Sequence, residues 1–512
     1  MLLALSSKIA EIDRFAEECL GIPVITLMER SGEVIADAVR ARVPSGKKIV
    51  ILAGKGNNGG DGYAAACALR GEYEVLVYDV FSAGQKSEAG KFFLEKIKEG
   101  GGRVTNFEIN PDTEAEIKSA DCIIDAIFGT GFSGVMPEII VGLARMVNET
   151  QRAVKIAVDV PIGVNADTGS VNTTSACNMN ATVVLSFVKP GLVSYPAKSY
   201  VGEIIFDGLG LPRDRIAEQF GFSYFCLDRE MALSMLPKRA ADSNKGSFGK
   251  LLCITGSDKY RGAGMLSLEA ALRGGVGYVT YLGEPAICDI LSAKLPEAIY
   301  QKCAPLGELS EAQIGEVLRL SEKHSATLIG SGSGDTEGLC ALVRALLACE
   351  GSPLIIDADG INALAADKEA SLNAIRSSPR RVILTPHPLE FSRLCGINVT
   401  DIQLHRIEAA MKFAAENRCI LVLKGAGTIV TDGKAVYINS SGSSALAKAG
   451  SGDVLAGFLS AMVASGIDPI CAAALSVYYH GVAADALARE LSVFGVIPSD
   501  LPKEIARQLG IK

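Results

Sequence analysis

The sequence predicts an α/β protein of two domains, each a mostly parallel β-sheet covered by helices on both faces. Three observations carry this expectation. Short apolar runs rich in Val and Ile recur between helix-forming stretches at 49–53, 74–79, 121–128, 155–160 and 182–188. Near-continuous apolar strands alternating with helices mark a sheet buried on both faces. The alternation weakens across 207–250, where Gly208, Gly210, Pro212 and Pro237 cluster, and restarts at 250–255, 278–282, 326–329, 353–357, 381–385 and 419–424. The 512 residues include 54 glycines and no Trp, and 48% are hydrophobic, as expected of a chain with many strand-to-helix turns. The boundary is expected near 212–225, giving domains of 1–215 and 216–512. No period between about 20 and 50 residues suggests a repeat array.

Composition narrows the function classes. Lys and Arg number 50 against 58 Asp and Glu, a net charge of −8, which argues against a nucleic-acid partner. Thirteen cysteines lie scattered from Cys19 to Cys471 without a Cys-x-x-Cys pair, so buried free thiols are expected rather than disulfides or a zinc site. Residues 1–5 lack the basic start and long apolar core of a signal peptide. The longest apolar stretches, around 454–464 and 470–479, fall short of a bilayer span. The expectation is a cytoplasmic protein without a membrane partner.

The first run leads directly into Ala53-Gly54-Lys55-Gly56-Asn57-Asn58-Gly59-Gly60-Asp61-Gly62. Glycines at 56, 59, 60 and 62 would let the backbone adopt positive φ and approach a ligand closely. Asn57, Asn58 and Asp61 bring amide and carboxylate groups to the same place. The helix-forming stretch 64–70 would start at this loop, and helix N-termini favour anions. The spacing matches neither the P-loop nor the dinucleotide fingerprint. A tight strand-to-helix turn is the plainer alternative, although neither Asn is needed for turning. The segments 129–134 and 159–163 also follow strands. Right-handed crossovers put all three on one sheet edge, so they should converge.

A second glycine site, Ala449-Gly450-Ser451-Gly452-Asp453, precedes the helical stretch 454–463. Gly450 and Gly452 free backbone N–H groups to face developing negative charge, and Asp453 can act as a base toward a hydroxyl held there. Lys424-Gly425-Ala426-Gly427-Thr428 follows a strand and offers a phosphate-sized loop with a cation. These are parts for phosphoryl transfer. The alternative for Asp453 is a plain helix N-cap.

Further segments carry a resemblance. Ala449–Asp453 and its helix resemble the anion hole of the ribokinase-like fold. Lys245-Gly246-Ser247-Phe248-Gly249-Lys250, Arg261-Gly262-Ala263-Gly264, Asp357-Ala358-Asp359 with Asn362-Ala363-Leu364, and Thr385-Pro386-His387-Pro388 are similar to the nicotinamide-nucleotide hydrate dehydratases. Asn57–Asp61, Leu27-Met28-Glu29-Arg30-Ser31-Gly32, Asp125, Gly129-Thr130-Gly131 and Asp159-Val160-Pro161 resemble the NAD(P)H-hydrate epimerases. The two in this order, over nearly the whole chain, resemble the bifunctional NAD(P)H-hydrate repair enzymes. The implied folds are a Rossmann-like three-layer sandwich followed by a ribokinase-like domain.

The resemblance implies that the first domain interconverts R and S hydrates and the second dehydrates the S form, with ADP going to AMP and phosphate. Asn57, Asn58, Gly59, Gly60 and Asp61, together with Gly129, Thr130, Gly131, Phe132, Ser133, Gly134 and Val135, would cradle the substrate. Asp159 would be the acid/base at C6; a structural turn aspartate before Pro161 is the alternative. Asn58, Asp125 and the backbone of Ile162 would hold K⁺. In the second domain Asp453 would be the base, and Ala263, Gly332 and His387 would line the hydrate. His387 has an exposed loop histidine as its alternative. Lys424, Gly425, Ala426, Gly427 and Thr428, with Gly450, Ser451 and Gly452, would bind the nucleotide, with Mg²⁺ neutralising charge, and a homo-oligomer is expected. The chain departs from the family at Ile162, where Ser or Thr is usual, at Leu389, where glycine is usual, at Asn244 for His and at Ser451 for Thr. Two rivals remain: a ribokinase-like small-molecule kinase with a regulatory first domain, and a first domain serving only as a scaffold.

Overall fold

The structure, a computed structural model, describes residues 1–132, 135–334 and 337–510. The chain divides into one unit of residues 2–224 and another of 225–512, to which Met1 belongs. The expected cut at 215/216 falls inside the helix Arg213–Phe220, which lies in the first unit.

In the first unit, seven strands lie in the order Arg103–Asn106, Glu74–Asp79, Lys48–Ala53, Cys122–Ala126, Val154–Val158, Ala181–Leu185 and Glu203–Asp207. Every pairing among them is parallel. Alternate residues of the central strands face opposite layers. Ile49 and Ile51 pack with the helices Val24–Arg40 and Asn57–Leu69 on one side, and Val50 and Leu52 pack near Glu138–Glu149 on the other. Burial on both faces is why these strands read as continuous apolar runs.

The sheet of the second unit runs Ile299–Lys302, Tyr278–Gly283, Lys250–Ile254, Ala326–Ile329, Leu354–Ile356, Val382–Leu384 and Ile420–Leu423, all parallel. It continues into the antiparallel hairpin Ile429–Thr431 and Val436–Ile438. Its helices Arg261–Arg273 and Ser451–Ala464 pack closely because a Cβ on Gly457 would lie 2.0 Å from Ser267 O, so only glycine allows that approach. The stretch around 470–479, expected to be short, belongs to a 27-residue helix, Pro469–Gly495, that is long and apolar enough to cross a membrane by length and composition. Its most apolar window is 72% buried inside the protein, where Ala472, Leu475, Tyr479 and Ala483 join the core. None of the thirteen cysteines is in a disulfide, and Cys122, Cys177, Cys226, Cys253, Cys288 and Cys419 are buried.

Candidate active sites

The first unit's chain moves outward from Lys48–Ala53 through two strands, then returns to the other side of it as Cys122–Ala126. Loops leaving two such strands diverge and open a crevice beyond their carboxyl ends. Here it is a cavity of about 420 Å³ lined by Asn57, Asn58, Asp61, Phe128, Gly129, Thr130, Gly131, Phe132 and Asp159, together with Lys189 and Asp13. A second cavity of about 440 Å³ shares Phe128–Phe132 as its wall. The three loops expected to converge thus do so.

The glycines act differently from expectation. The helix begins at Asn57 rather than near 64, so the asparagines occupy its first turn. Gly54, Gly56, Gly59, Gly60 and Gly62 are absent from the positive-φ residues, and Gly56 has φ −87°. What Gly54, Gly59, Gly60 and Gly62 need is missing volume, whereas a Cβ on Gly56 would meet nothing within 4 Å. A Cβ on Gly54 would lie 1.9 Å from Ile127 O, and one on Gly59 would lie 2.0 Å from Gly54 O. The two switch-point segments therefore meet backbone to backbone.

Asn58 Nδ2 donates to Phe128 O at 2.8 Å, leaving its buried Oδ1 without a partner. Asp125 is fully buried and accepts the N–H groups of Ile127 at 3.2 Å and Ile162 at 2.8 Å. Burial pushes its carboxyl up to about 7, against the pull of those two N–H groups. The Ile162 carbonyl already accepts from Cys177 N–H at 3.2 Å and retains one lone pair. The orphaned amide oxygen of Asn58, the buried carboxylate of Asp125 and the Ile162 carbonyl are all oxygen donors of the kind a hard cation such as K⁺ takes, although Asp125 and Ile162 line neither cavity described.

Asp159 has φ 65°, a conformation that costs energy for a non-glycine residue and collects at functional sites. Its N–H donates to Val183 O at 2.7 Å, and its carboxylate pairs with Lys189. Lys189 is 1% exposed and also donates to Leu185 O at 3.1 Å. Burial and the neighbouring Asp159 push Asp61 well above the carboxylate range, with Ser31 opposing. Burial raises Asp13 to about 6, with Lys189 opposing and Asp159 adding. Asp159 is therefore an ion-paired cavity residue rather than a plain turn aspartate.

The second unit reverses in the same way between Lys250–Ile254 and Ala326–Ile329. The following segments touch: Gly256 N–H donates to Ser331 O at 2.7 Å, and a Cβ on Gly332 would lie 2.4 Å from Ala263 Cβ. Buried Asp357 joins the pieces. It accepts from Ser331 Oγ at 2.8 Å, Thr385 Oγ1 at 2.6 Å and Lys424 Nζ at 2.9 Å. Burial works against the Lys424 ammonium, but the carboxylates of Asp357 and Glu390 outweigh it and raise its pKa. A Cβ on Gly452 would lie 3.5 Å from Lys424 Nζ, so this cation borders the 450–453 turn as well.

Gly450, at φ 100°, caps the helix Ser451–Ala464, and Asp453 sits in its first turn. Asp453 is thus not the N-cap. Burial, then repulsion from Asp357, pushes its carboxyl up to about 7, with Lys424 opposing. Ser451 N–H is drawn to Lys448 O at 3.3 Å, whereas those of Gly450, Gly452 and Asp453 meet no backbone acceptor among the described residues. His387 caps the helix Pro388–Cys395: its Nδ1 accepts Glu390 N–H at 3.1 Å, and its Nε2 lies 3.3 Å from Glu390 Oε1. Its half-exposed ring is therefore a fixed cap beside buried Glu390, not a loose loop group. Among the described residues no group of three or more His, Cys, Asp or Glu forms a metal cage; Mg²⁺ would ride on substrate phosphates, as it commonly does.

Val135 is 94% exposed and does not line either cavity described. Ser133 and Gly134 lie outside the described residues. Sequence reasoning missed Lys189, Asp13, Asp357 and Glu390 as site residues. Lys189 follows the apolar run 182–188 directly, and a charge at the end of a buried strand was a readable signal. So was Asp357 after 354–356. Nothing local marks Asp13, which arrives on the helix Ser6–Glu18.

Comparison with known proteins extends this geometry. Residues 24–191 match the family model described as YjeF-related protein N-terminus, and 251–507 match NAD(P)H-hydrate dehydratase. A bifunctional NAD(P)H-hydrate repair enzyme, Nnr, from Moorella thermoacetica is 34% identical, covering 98% of this chain and 95% of the relative. The one from Coxiella burnetii is 34% identical over 96% of each. A ribokinase-like superfamily protein from Enterococcus faecalis superposes with a TM-score of 0.50 at 24% identity, covering 56% of this chain and 96% of that one, which assigns the fold of the second half. Relatives named as bifunctional repair enzymes and sharing both halves favour that reading over a ribokinase-like kinase with a regulatory or scaffold first domain. The chain, similar to them end to end, belongs to the family of bifunctional NAD(P)H-hydrate repair enzymes.

Proposed function

We propose that the first unit interconverts the R and S forms of NAD(P)H hydrate and that the second dehydrates the S form, converting ADP to AMP and phosphate. The observation that carries this reading is a separate carboxylate site at the switch point of each sheet: Asp159 with Lys189 in one, Asp453 with Lys424 in the other.

In the first site Asp159, oriented by Lys189, takes the proton of the C6 hydroxyl as the C6–N1 bond opens to an aldehyde and N1 takes a proton. Reclosure on the other face remakes C6–N1, returns both protons and inverts C6. Asp61, whose carboxyl burial pushes well above the usual carboxylate range, lines the same cavity and can exchange the second proton. K⁺ held by Asn58, Asp125 and the Ile162 carbonyl would supply fixed positive charge beside the loops.

In the second site Asp453 removes the C6 hydroxyl proton, and the oxygen attacks the terminal phosphorus of ADP. AMP leaves as the old P–O bond breaks. The unclaimed N–H groups at the start of Ser451–Ala464 hold the phosphoryl group in transit. The ring nitrogen's lone pair then expels phosphate from C6, and loss of the C5 proton restores the dihydropyridine. Mg²⁺ on the phosphates would neutralise charge during transfer.

The test is to incubate mixed R and S hydrate with ADP, and separately with ATP, following the absorbance of the reduced nicotinamide and phosphate release. Consumption of both epimers with phosphate released is expected. A stable phosphorylated product without recovered absorbance would refute the dehydratase reading, and consumption of S alone would refute the epimerase reading.

A further inference from the structure

Arg406 opens the helix Arg406–Asn417 and is 2% exposed. Burial lowers its pKa to about 10, and no carboxylate pairs with it among the described residues. Its Nε has no partner. Nη1 donates to Gln403 Oε1 at 2.7 Å, and Nη2 donates to two carbonyls, Leu423 O at 3.1 Å and Lys424 O at 3.2 Å. A buried cation without an anion is costly, so its position needs a reason.

The two carbonyls belong to the start of the 424–428 loop. A planar peptide carries its C=O and N–H on opposite edges. Drawing Lys424 C=O toward Arg406 therefore turns the Gly425 N–H away from the guanidinium. The N–H groups of Gly425, Ala426 and Gly427 meet no backbone acceptor among the described residues. Gly425, at φ 134°, lies directly on the guanidinium: a Cβ there would come within 3.2 Å of both Nη1 and Nη2. Thr428 Oγ1 closes the turn by donating to Gly425 O at 2.9 Å. The result is a run of three N–H groups without backbone acceptors beside an uncompensated cation, the ingredients of an anion-binding nest.

We infer that Arg406 is the positioning residue of this loop, aiming its N–H groups at the phosphates of a nucleoside diphosphate or triphosphate and supplying positive charge from behind. The inference rests on reading 424–428 as the nucleotide loop.

The test uses the full chain with S hydrate, varying ADP, for Arg406→Met and Arg406→Lys. Arg406→Met is expected to raise the KM for ADP about tenfold or more, the weight of a hydrogen-bonded charge, while the KM for the hydrate moves less than twofold. Arg406→Lys keeps the charge without the fork and should raise the KM for ADP severalfold. Stabilisation of the protein by ADP in thermal unfolding should shrink in the same order. An unchanged KM for ADP in either variant overturns the inference, as does an equal rise in both KM values, which marks a general structural role. Should the Met variant not fold, the Lys variant decides. If ADP has no effect on the unaltered chain, the nucleotide reading itself fails; a normal ADP effect that survives in the variants overturns only the role of Arg406.

Discussion

The two acid–base carboxylates keep different electrostatic company. Asp453 is partly buried, and that burial with repulsion from Asp357 pushes its carboxyl up to about 7. It acts only after losing its proton, so dehydratase kcat/KM should rise about tenfold per unit as pH approaches 7 from below and level off above it. A profile that stays flat from about pH 5.5 to 8.5 would remove Asp453 as the base. Asp453→Asn should cut dehydration by roughly 100-fold or more while R-to-S exchange continues; both rates are measurable by separating the epimers chromatographically. Asp159 depends on Lys189 instead. Lys189→Met leaves a carboxylate in a buried setting without its cation, so we expect exchange to be lost and stability to fall by roughly 3–5 kcal/mol in urea unfolding. Wild-type stability in that variant would show that the pair is not structural.

At the scale of the element, the first turn of Asn57–Leu69 is defined by what its glycines leave out. Gly54→Ala and Gly59→Ala drive a methyl group into backbone 1.9 and 2.0 Å away, and should each cost at least ~1–3 kcal/mol by urea midpoint. Gly56→Ala meets nothing within 4 Å at φ −87° and should stay within about 0.5 kcal/mol. The reverse order would restore the expectation that backbone conformation is what this segment needs. Most central strands were legible because burial on both faces leaves uninterrupted Val and Ile. Arg103–Asn106 and Ile299–Lys302 were not, since these edge strands are mostly exposed and carry polar residues. Ile429–Thr431 and Val436–Ile438, a short hairpin closing directly after the 424–428 loop, were also missed.

For the whole molecule, the two activities should separate by variant. With mixed hydrate and ADP, Asp159→Ala should consume the S fraction and then slow to the spontaneous exchange rate, whereas the unaltered chain should run to completion. Complete consumption at the normal rate in Asp159→Ala would remove that residue from the reaction. The sequence by itself determined the α/β class, the two-part organisation and the glycine-rich segments 54–62 and 449–453, because strand burial and loop chemistry are local properties written in consecutive residues. It offered Asp159 and Asp453 as candidates, and Asp125 through resemblance alone. The tertiary structure decided the company those residues keep. Lys189 against Asp159, Asp13 from a distant helix, Asp357 between Lys424 and Ser331, and Arg406 beneath Gly425 are joined by crossovers that bring positions tens to hundreds of residues apart to one sheet edge, and no local pattern records such a meeting.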